Sequence, residues 1–463
     1  MYTRNTLKNP HIIGIVLLTV LGLILRLYHL DFNCIWGDEL YTLMFSSTSL
    51  MNIWSSFMTD CHPPLFYWIE HFILLIGQDE NFLRIIPAIF GTLSIPTIYF
   101  SFREVFNENI SFISALLLAV SPFHIYYSQE ARMYTMWLFL FLISLYYFFK
   151  FIETPSKMGA LKFGIMSGIT FWVHFYTGLF FSLLILYAII TNRDKISNFM
   201  THVAYSIIGF IVIILPLLPS ISTILTAWPN EQKWFGYMGI YVIPGALYEF
   251  FGSNTTLAIC SVVLLIVGLT LMLKNGRGNL IFVVFMISTC LVSAVVLSYK
   301  LPMVARYLFP LYALILIPIS VSISRLFDFF EKKKVYTGSL VLIATLLVFA
   351  PAIGNYYEYP VKEDHRMEAR EISNITNDGD YFVLLTNGRV FQHYYNNETD
   401  GVLIFTCQTY SDLITLNQIR GEHRMIIMPQ FDPNGYEKEL YWINSNYNAV
   451  KTLENNAKVY IIN

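Results

Sequence analysis

Over the first three quarters of the chain, apolar residues come in long blocks, and polar residues are confined to the short stretches between them. Eleven blocks are long enough to cross a bilayer, or nearly so. They fall near residues 11–30, 83–102, 110–127, 133–150, 160–176, 177–191, 202–220, 255–273, 280–298, 306–324 and 335–353. A spanning helix needs about 17–25 such residues. Three further stretches, 40–58, 64–77 and 238–252, are apolar but too short or too polar to span. They suit helices lying along the interface. Trp36, Trp54, Trp68, Trp228 and Trp234 fall in the two long connections that contain these stretches, matching the preference of indole for headgroup level.

After Pro360 the pattern shortens. Glu368–Ile375 reads as a short helix, and Tyr381–Thr386, Arg424–Met428 and Val459–Ile462 read as strands. The expected architecture is therefore a polytopic α-helical membrane domain, residues 1–354, of about eleven spanning helices plus interfacial ones. A small soluble α/β domain, residues 355–463, follows it.

Composition agrees with this division. Of 463 residues, 56% are hydrophobic and only 13% charged, against about 25% charged in an ordinary soluble domain. Residues 1–354 carry 20 Lys/Arg and 16 Asp/Glu, and residues 355–463 carry 9 and 15. No face or tail concentrates Lys/Arg, which excludes nucleic acid as a partner. The five cysteines have no metal-type spacing. Cys34 and Cys61 read as isolated thiols, although an oxidising compartment would permit them to pair. The first apolar run lacks a small-x-small cleavage site and reads as a retained helix.

Charge also sets the orientation. With the N-terminus inside, fourteen Lys/Arg fall in inner loops. Six fall on the outer side: Arg26, Arg84, Arg132, Lys233, Lys300 and Arg306. This follows the positive-inside rule. An odd number of spans then places the C-terminal domain outside the cell membrane's cytoplasmic face.

The candidate chemistry lies on that same outer side. In Ile35-Trp-Gly-Asp-Glu-Leu-Tyr41, the carboxylates Asp38 and Glu39 follow the first span by about ten residues. A carboxylate at the mouth of an apolar cavity makes a good general base, because partial desolvation raises its pKa toward the working range. Adjacent residues point in different directions, so one would act as base and the other would bind substrate or orient a neighbour. In Met58-Thr-Asp-Cys-His-Pro-Pro-Leu-Phe-Tyr67, the two prolines forbid a continuing helix and favour starting a new one, which fixes His62 at a turn. His62 can bond backbone there, position Asp38, or bind metal with Asp60. Metal is the weakest of these readings because no third ligand declares itself. Tyr127-Ser-Gln-Glu-Ala-Arg-Met-Tyr134 opens the fourth span, and Gln129 and Arg132, three apart, are expected to share a helical face. A guanidinium near the membrane surface suits a phosphate, which it grips bidentately. Lys300 and Arg306, at the outer side of the ninth and tenth spans, are second candidates for the same phosphate. His174, late in the fifth span, reads as a packed core histidine.

Taken in order, these pieces resemble the GT-C integral membrane glycosyltransferases. Within them the likeness is to the family that includes protein O-mannosyltransferases and the aminoarabinose transferase of lipid A. The resemblance rests on Asp38-Glu39, His62-Pro63-Pro64, Arg84, Gln129-Glu130-Ala131-Arg132 and Arg306-Tyr307. Lys362-Glu-Asp-His-Arg366 also looks like the charged motif opening the soluble domain of bacterial and archaeal members. The resemblance implies a sugar donor on polyprenyl or dolichyl phosphate, transferred with inversion at the non-cytoplasmic face. It implies Asp38 as base and Glu39 as a donor- or acceptor-binding group. Arg132, Arg306, Lys300 and Arg84 would hold the donor phosphate, with His62, Asp60, Gln129, Glu130 and Tyr134 positioning substrate. The acceptor is a glycan, lipid or protein, and no cofactor is expected. A transporter or flippase of a lipid-linked glycan is the alternative. It predicts charges at mid-membrane, whereas the charges here gather on one side.

Overall fold

The computed structural model describes residues 10–57, 62–220, 238–275, 277–301, 303–331, 337–385, 388–395, 401–407, 409–429, 437–446, 449–453 and 458–462. The chain forms two compact units. One comprises Met1–Leu30 with Tyr41–Tyr359, and the other comprises Asp31–Leu40 with Pro360–Asn463.

The larger unit is helical throughout its described residues. Seven of its helices are long and apolar enough to cross a membrane: Pro10–Leu27, Glu80–Phe102, Tyr134–Glu153, Phe199–Ser220, Thr255–Lys274, Gly278–Leu297 and Ala305–Leu326. The last is wholly buried inside the unit, so the other helices pack around it. The block at 110–127 is broken into Glu108–Ala119 and Pro122–Ser128, bent by 58°. The cause is local. Pro122 disfavours helical geometry at Ser121, whose ψ of 120° and side-chain cap on the His124 N–H start a new helix.

The blocks at 160–176 and 177–191 form helices Lys157–Phe171 and Thr177–Thr191, each 15 residues long. At 1.5 Å per residue each covers about 22 Å, less than a hydrocarbon core of about 30 Å. Helix Lys157–Phe171 stops before His174, which therefore lies in the turn between the two helices. The interfacial stretches appear as helices Gly37–Ser46, Leu50–Phe57, Leu65–Leu74 and Val242–Phe250. Trp228, Trp234 and Lys233 lie outside the described residues.

Close backbone approach replaces hydrophobic driving force where helices meet in lipid. Gly164 and Gly168, four apart, meet helix Ile196–Ile214. A Cβ on Gly164 would lie 2.0 Å from the Ser206 carbonyl oxygen, and one on Gly168 would lie 2.7 Å from Ile213. Gly268 approaches the Pro318 carbonyl in the same way.

The second unit is built on a five-stranded mixed sheet of order β2-β1-β3-β5-β4, where β1 is Tyr381–Leu385, β2 Leu403–Cys407, β3 Met425–Pro429, β4 Ala449–Thr452 and β5 Lys458–Ile462. β1 runs parallel to both β2 and β3, whereas β5 is antiparallel to β3 and β4. Four consecutive buried residues in β1, Phe382–Leu385, show that both faces of this inner strand are covered, by helices such as Arg389–Tyr395 and Tyr410–Ile419. The strands beginning near Tyr381, Met425 and Lys458 stand where the apolar runs place them. β2 and β4 are partly polar and carry no comparable run.

Candidate active site

In the membrane unit the polar groups converge on Arg132. Residues 129–133 form a turn between helices Pro122–Ser128 and Tyr134–Glu153, so Gln129 and Arg132 do not share a helical face as the spacing suggests. They go to different partners. Gln129 Nε2 donates to the carbonyls of Tyr28 at 2.7 Å and Arg26 at 3.1 Å, and its Oε1 accepts from the Tyr356 hydroxyl at 2.8 Å. It thereby satisfies carbonyls left over at the end of the first helix. Arg132, 3% exposed, directs Nη2 to His62 Nε2 at 3.1 Å and Nη1 to the Tyr67 hydroxyl at 3.3 Å and Thr42 Oγ1 at 3.4 Å.

An aromatic brace holds the start of the helix that follows His62. Trp54, Trp68 and Trp172 stack with centroids 5.8–6.0 Å apart. Leu65 N–H donates to the Trp172 carbonyl at 3.2 Å. This ties helices Leu50–Phe57 and Leu65–Leu74 to the turn that holds His174. Pro64 stands at the N-cap position of Leu65–Leu74, so the two prolines fix where that helix starts, three residues after His62.

A second group of rings adjoins Arg132. His174 stacks on Trp137 at 4.1 Å between centroids, nearly parallel, and lies 5.6 Å from the ring of Tyr307. Tyr307 stacks in turn on Tyr176, and Arg306 packs its guanidinium 5.6 Å from the Tyr307 centroid. Tyr134, fully buried, faces Tyr127, His174 and Tyr307. Arg132 lies within electrostatic reach of His174, and Arg306 of Tyr127 and Glu249. Both arginines therefore border one ring cluster. Glu130, also buried, interacts with Tyr126 and Tyr127. Burial holds the Glu249 carboxyl above the usual carboxylate range, and Arg306 pulls it back down.

The remaining expected phosphate ligands are placed differently. Arg84 is buried and donates from Nη1 to the Leu30 carbonyl at 2.6 Å. Lys300 is exposed in the turn after helix Arg277–Leu297. Asp60 and Cys61 lie outside the described residues. Among the described residues no three His, Cys, Asp or Glu side chains gather as a metal-ligand set.

The acidic pair is held within the second unit. Asp38 and Glu39 occupy the first turn of helix Gly37–Ser46, where the helix dipole favours negative charge. Glu39 is fully buried, whereas Asp38 is partly exposed. Lys362 Nζ meets Glu39 Oε2 at 2.9 Å, with the two side chains 9% and 0% exposed, and stands 5.6 Å from the Trp36 ring centroid. Removing one partner of such a buried pair typically costs about 3–5 kcal/mol.

The rest of the Lys362–Arg366 motif binds the same segment. Arg366 donates to the carbonyls of Asp31 and Phe32 and to Cys34 Sγ, and the Cys34 thiol donates to Asp364 Oδ1 at 3.2 Å. The Val361 N–H donates to Asn33 Oδ1, and the Ile35 N–H to the Tyr394 hydroxyl. Thr42, Tyr67, His174, Tyr307 and Lys362 were not expected as site residues. Tyr67, Tyr307 and Lys362 stand in the motifs, but no spacing rule links them to their partners.

This geometry sits on a known fold, that of the GT-C membrane glycosyltransferases. Residues 61–219 match the family model described as dolichyl-phosphate-mannose-protein mannosyltransferase. That match takes in His62, Tyr67, Arg132, His174 and Tyr176, but not Thr42, Arg306 or Tyr307. The structure is similar to ArnT from Cupriavidus metallidurans in the apo state, with TM-score 0.66, 12% identity and coverage of 96% of this chain and 97% of that one. It is similar to the same protein bound to undecaprenyl phosphate, with TM-score 0.63, 12% identity and the same coverage. The archaeal oligosaccharyltransferase AglB from Archaeoglobus fulgidus, in complex with an inhibitory peptide and a dolichol-phosphate, aligns with TM-score 0.55 at 13% identity. That alignment covers 91% of this chain and 69% of AglB. No curated protein matches the sequence.

Proposed function

We propose that the protein is an inverting glycosyltransferase working at the non-cytoplasmic face of the cell membrane. It takes a sugar from a polyprenyl- or dolichyl-phosphate and transfers it to a hydroxyl of an acceptor glycan, lipid or protein. The observation that carries this reading is Arg132: a guanidinium buried among His62, Tyr67 and Thr42, in a chain of this fold. Thr42 follows Asp38 by four residues in helix Gly37–Ser46, the spacing of one helical turn.

In the proposed reaction Asp38 takes the proton of the acceptor hydroxyl, and that oxygen attacks the anomeric carbon. The bond from anomeric carbon to phosphate oxygen breaks, and the lipid phosphate leaves with the electron pair. Arg132 and Arg306 stabilise the charge gathering on that phosphate, an interaction strongest where water is scarce. Tyr134 and Tyr307 supply ring faces suited to a sugar. The ArnT structure with bound undecaprenyl phosphate supports this donor class. The reading needs no metal. Chelator is expected to leave turnover intact, and complete loss would point to a metal at His62 and Asp60.

The test uses full-length protein in a bilayer with a panel of polyprenyl-phosphate hexoses and pentoses, reading release of polyprenyl phosphate. Release from at least one member is expected. No release from any of them overturns the reading.

A further inference from the structure

Lys362 belongs to a segment more than 320 residues from the acidic pair, and its ammonium ends on the member of that pair with no exposed surface. We infer that Lys362 is a positioning residue for the transfer reaction: its buried ion pair with Glu39 fixes the first turn of helix Gly37–Ser46, so that Asp38 alone is presented to substrate. This rests on the proposed role of Asp38 as base.

Adjacent residues on a helix point about 100° apart. If Glu39 faces inward and is held there, Asp38 must face elsewhere, and the burial of the two residues, complete for Glu39 and partial for Asp38, follows that rule. A carboxylate with no water around it stays ionised only beside a partner charge. Lys362 supplies that charge at 2.9 Å, and its own mobility is limited by packing near Trp36. The neighbouring motif residues reinforce the same register. Arg366 fastens the carbonyls of Asp31 and Phe32, Asp364 accepts from Cys34, and Asp364 also caps helix His365–Ser373 through the Met367 N–H. The loop that carries the acidic pair is thus anchored on its N-terminal side by Arg366 and at Glu39 by Lys362. Both anchors come from one five-residue motif. A base displaced by about 1 Å from its working position loses on the order of 10²-fold in rate, so the pair is expected to act on kcat.

The experiment compares Lys362→Gln, Lys362→Arg, Glu39→Gln and the double variant Lys362→Gln/Glu39→Gln with wild type, and runs Asp38→Asn in parallel. All are full-length proteins in a bilayer, assayed by polyprenyl phosphate release from the panel sugar that turns over fastest. Thermal unfolding of each is measured separately. Lys362→Gln is expected to lower kcat on the order of 10²-fold with the donor KM changed less than about threefold. Lys362→Arg should recover most of that loss, and the double variant should be no slower than the slower single one. Wild-type kcat in Lys362→Gln overturns the positioning role. So does equal loss in kcat and donor affinity, or a loss that tracks the unfolding temperature across the four variants. Full turnover by Asp38→Asn overturns the underlying functional reading instead.

Discussion

Glu39 and Arg132 are both buried and both ionisable, yet they are held by different chemistry. Glu39, in the smaller unit, meets an ammonium that cancels its charge. Arg132, in the membrane unit, donates to an imidazole and two hydroxyls, which orient its guanidinium. The first arrangement builds a support, because a neutralised pair has little left to offer a ligand. The second suits a receptor, because an oriented guanidinium in a buried site can grip a phosphate bidentately. The two regions therefore divide the work that the proposed reaction requires. In that proposal one aims a base, and the other receives a phosphate.

The sharpest way to break this division is at Asp38. Asp38→Asn is expected to reduce transfer by at least about 10³-fold, within the range for loss of a general base, with the unfolding temperature unchanged. Measurable turnover near wild type would remove the base from this loop. Next in size is Arg132→Ala, which should cost on the order of 10²-fold in kcat/KM and weaken binding of a polyprenyl-phosphate sugar more than that of acceptor. Arg306→Ala should do the same to a smaller degree, because Arg306 is less buried and lies against a ring face. Equal weakening for donor and acceptor would make both arginines structural.

A packing change sharpens the comparison from a distance. Gly164→Ala places a methyl against the Ser206 carbonyl and should cost about 1–3 kcal/mol, as overpacking generally does. Helix Lys157–Phe171, which carries Gly164, ends at Trp172, whose carbonyl bonds Leu65 at the start of the helix after His62, so donor affinity should fall along with stability. An unchanged unfolding temperature would show that the two helices move apart freely.

The smallest effect belongs to the supporting loop. Burial pushes the Cys34 thiol above its ordinary value, an effect that the neighbouring Arg366 only partly offsets. A raised thiol pKa leaves less thiolate at neutral pH, so Cys34 should react with iodoacetamide more slowly in the folded protein than in the unfolded one. The difference should shrink as pH rises. Mass spectrometry of the labelled peptide reads this directly, and rapid labelling of the folded protein at pH 7 would contradict the packing of the loop.

Much of the fold was legible because bilayer and sheet both impose simple periodicities. Long apolar blocks marked the helices that span, and short apolar runs marked β1, β3 and β5. The breaks were harder to place. Ser121-Pro122 carries the bend in its sequence, but a block of mean apolar character hides it. Helix Lys157–Phe171 ends before His174 with no proline or glycine at its end to announce the stop. β2 and β4 have partly polar faces at the edges of their sheet and give no strong alternation.

The site divides in the same way. By itself, the order of residues established the helical membrane architecture and picked out a short set of unusual polar groups that includes Asp38, Glu39, His62, Arg132 and Arg306. It did so because charges in an apolar chain are costly and therefore conspicuous. Which of them meet was decided only by tertiary structure. The turn at 129–133 sends Gln129 to the end of the first helix and Arg132 to His62. Arg84 goes to a backbone carbonyl, and Lys362 crosses more than 300 residues of sequence to reach Glu39. Hydrogen bonds and ion pairs act over about 3 Å, and no spacing along the chain encodes a distance that small between segments so far apart.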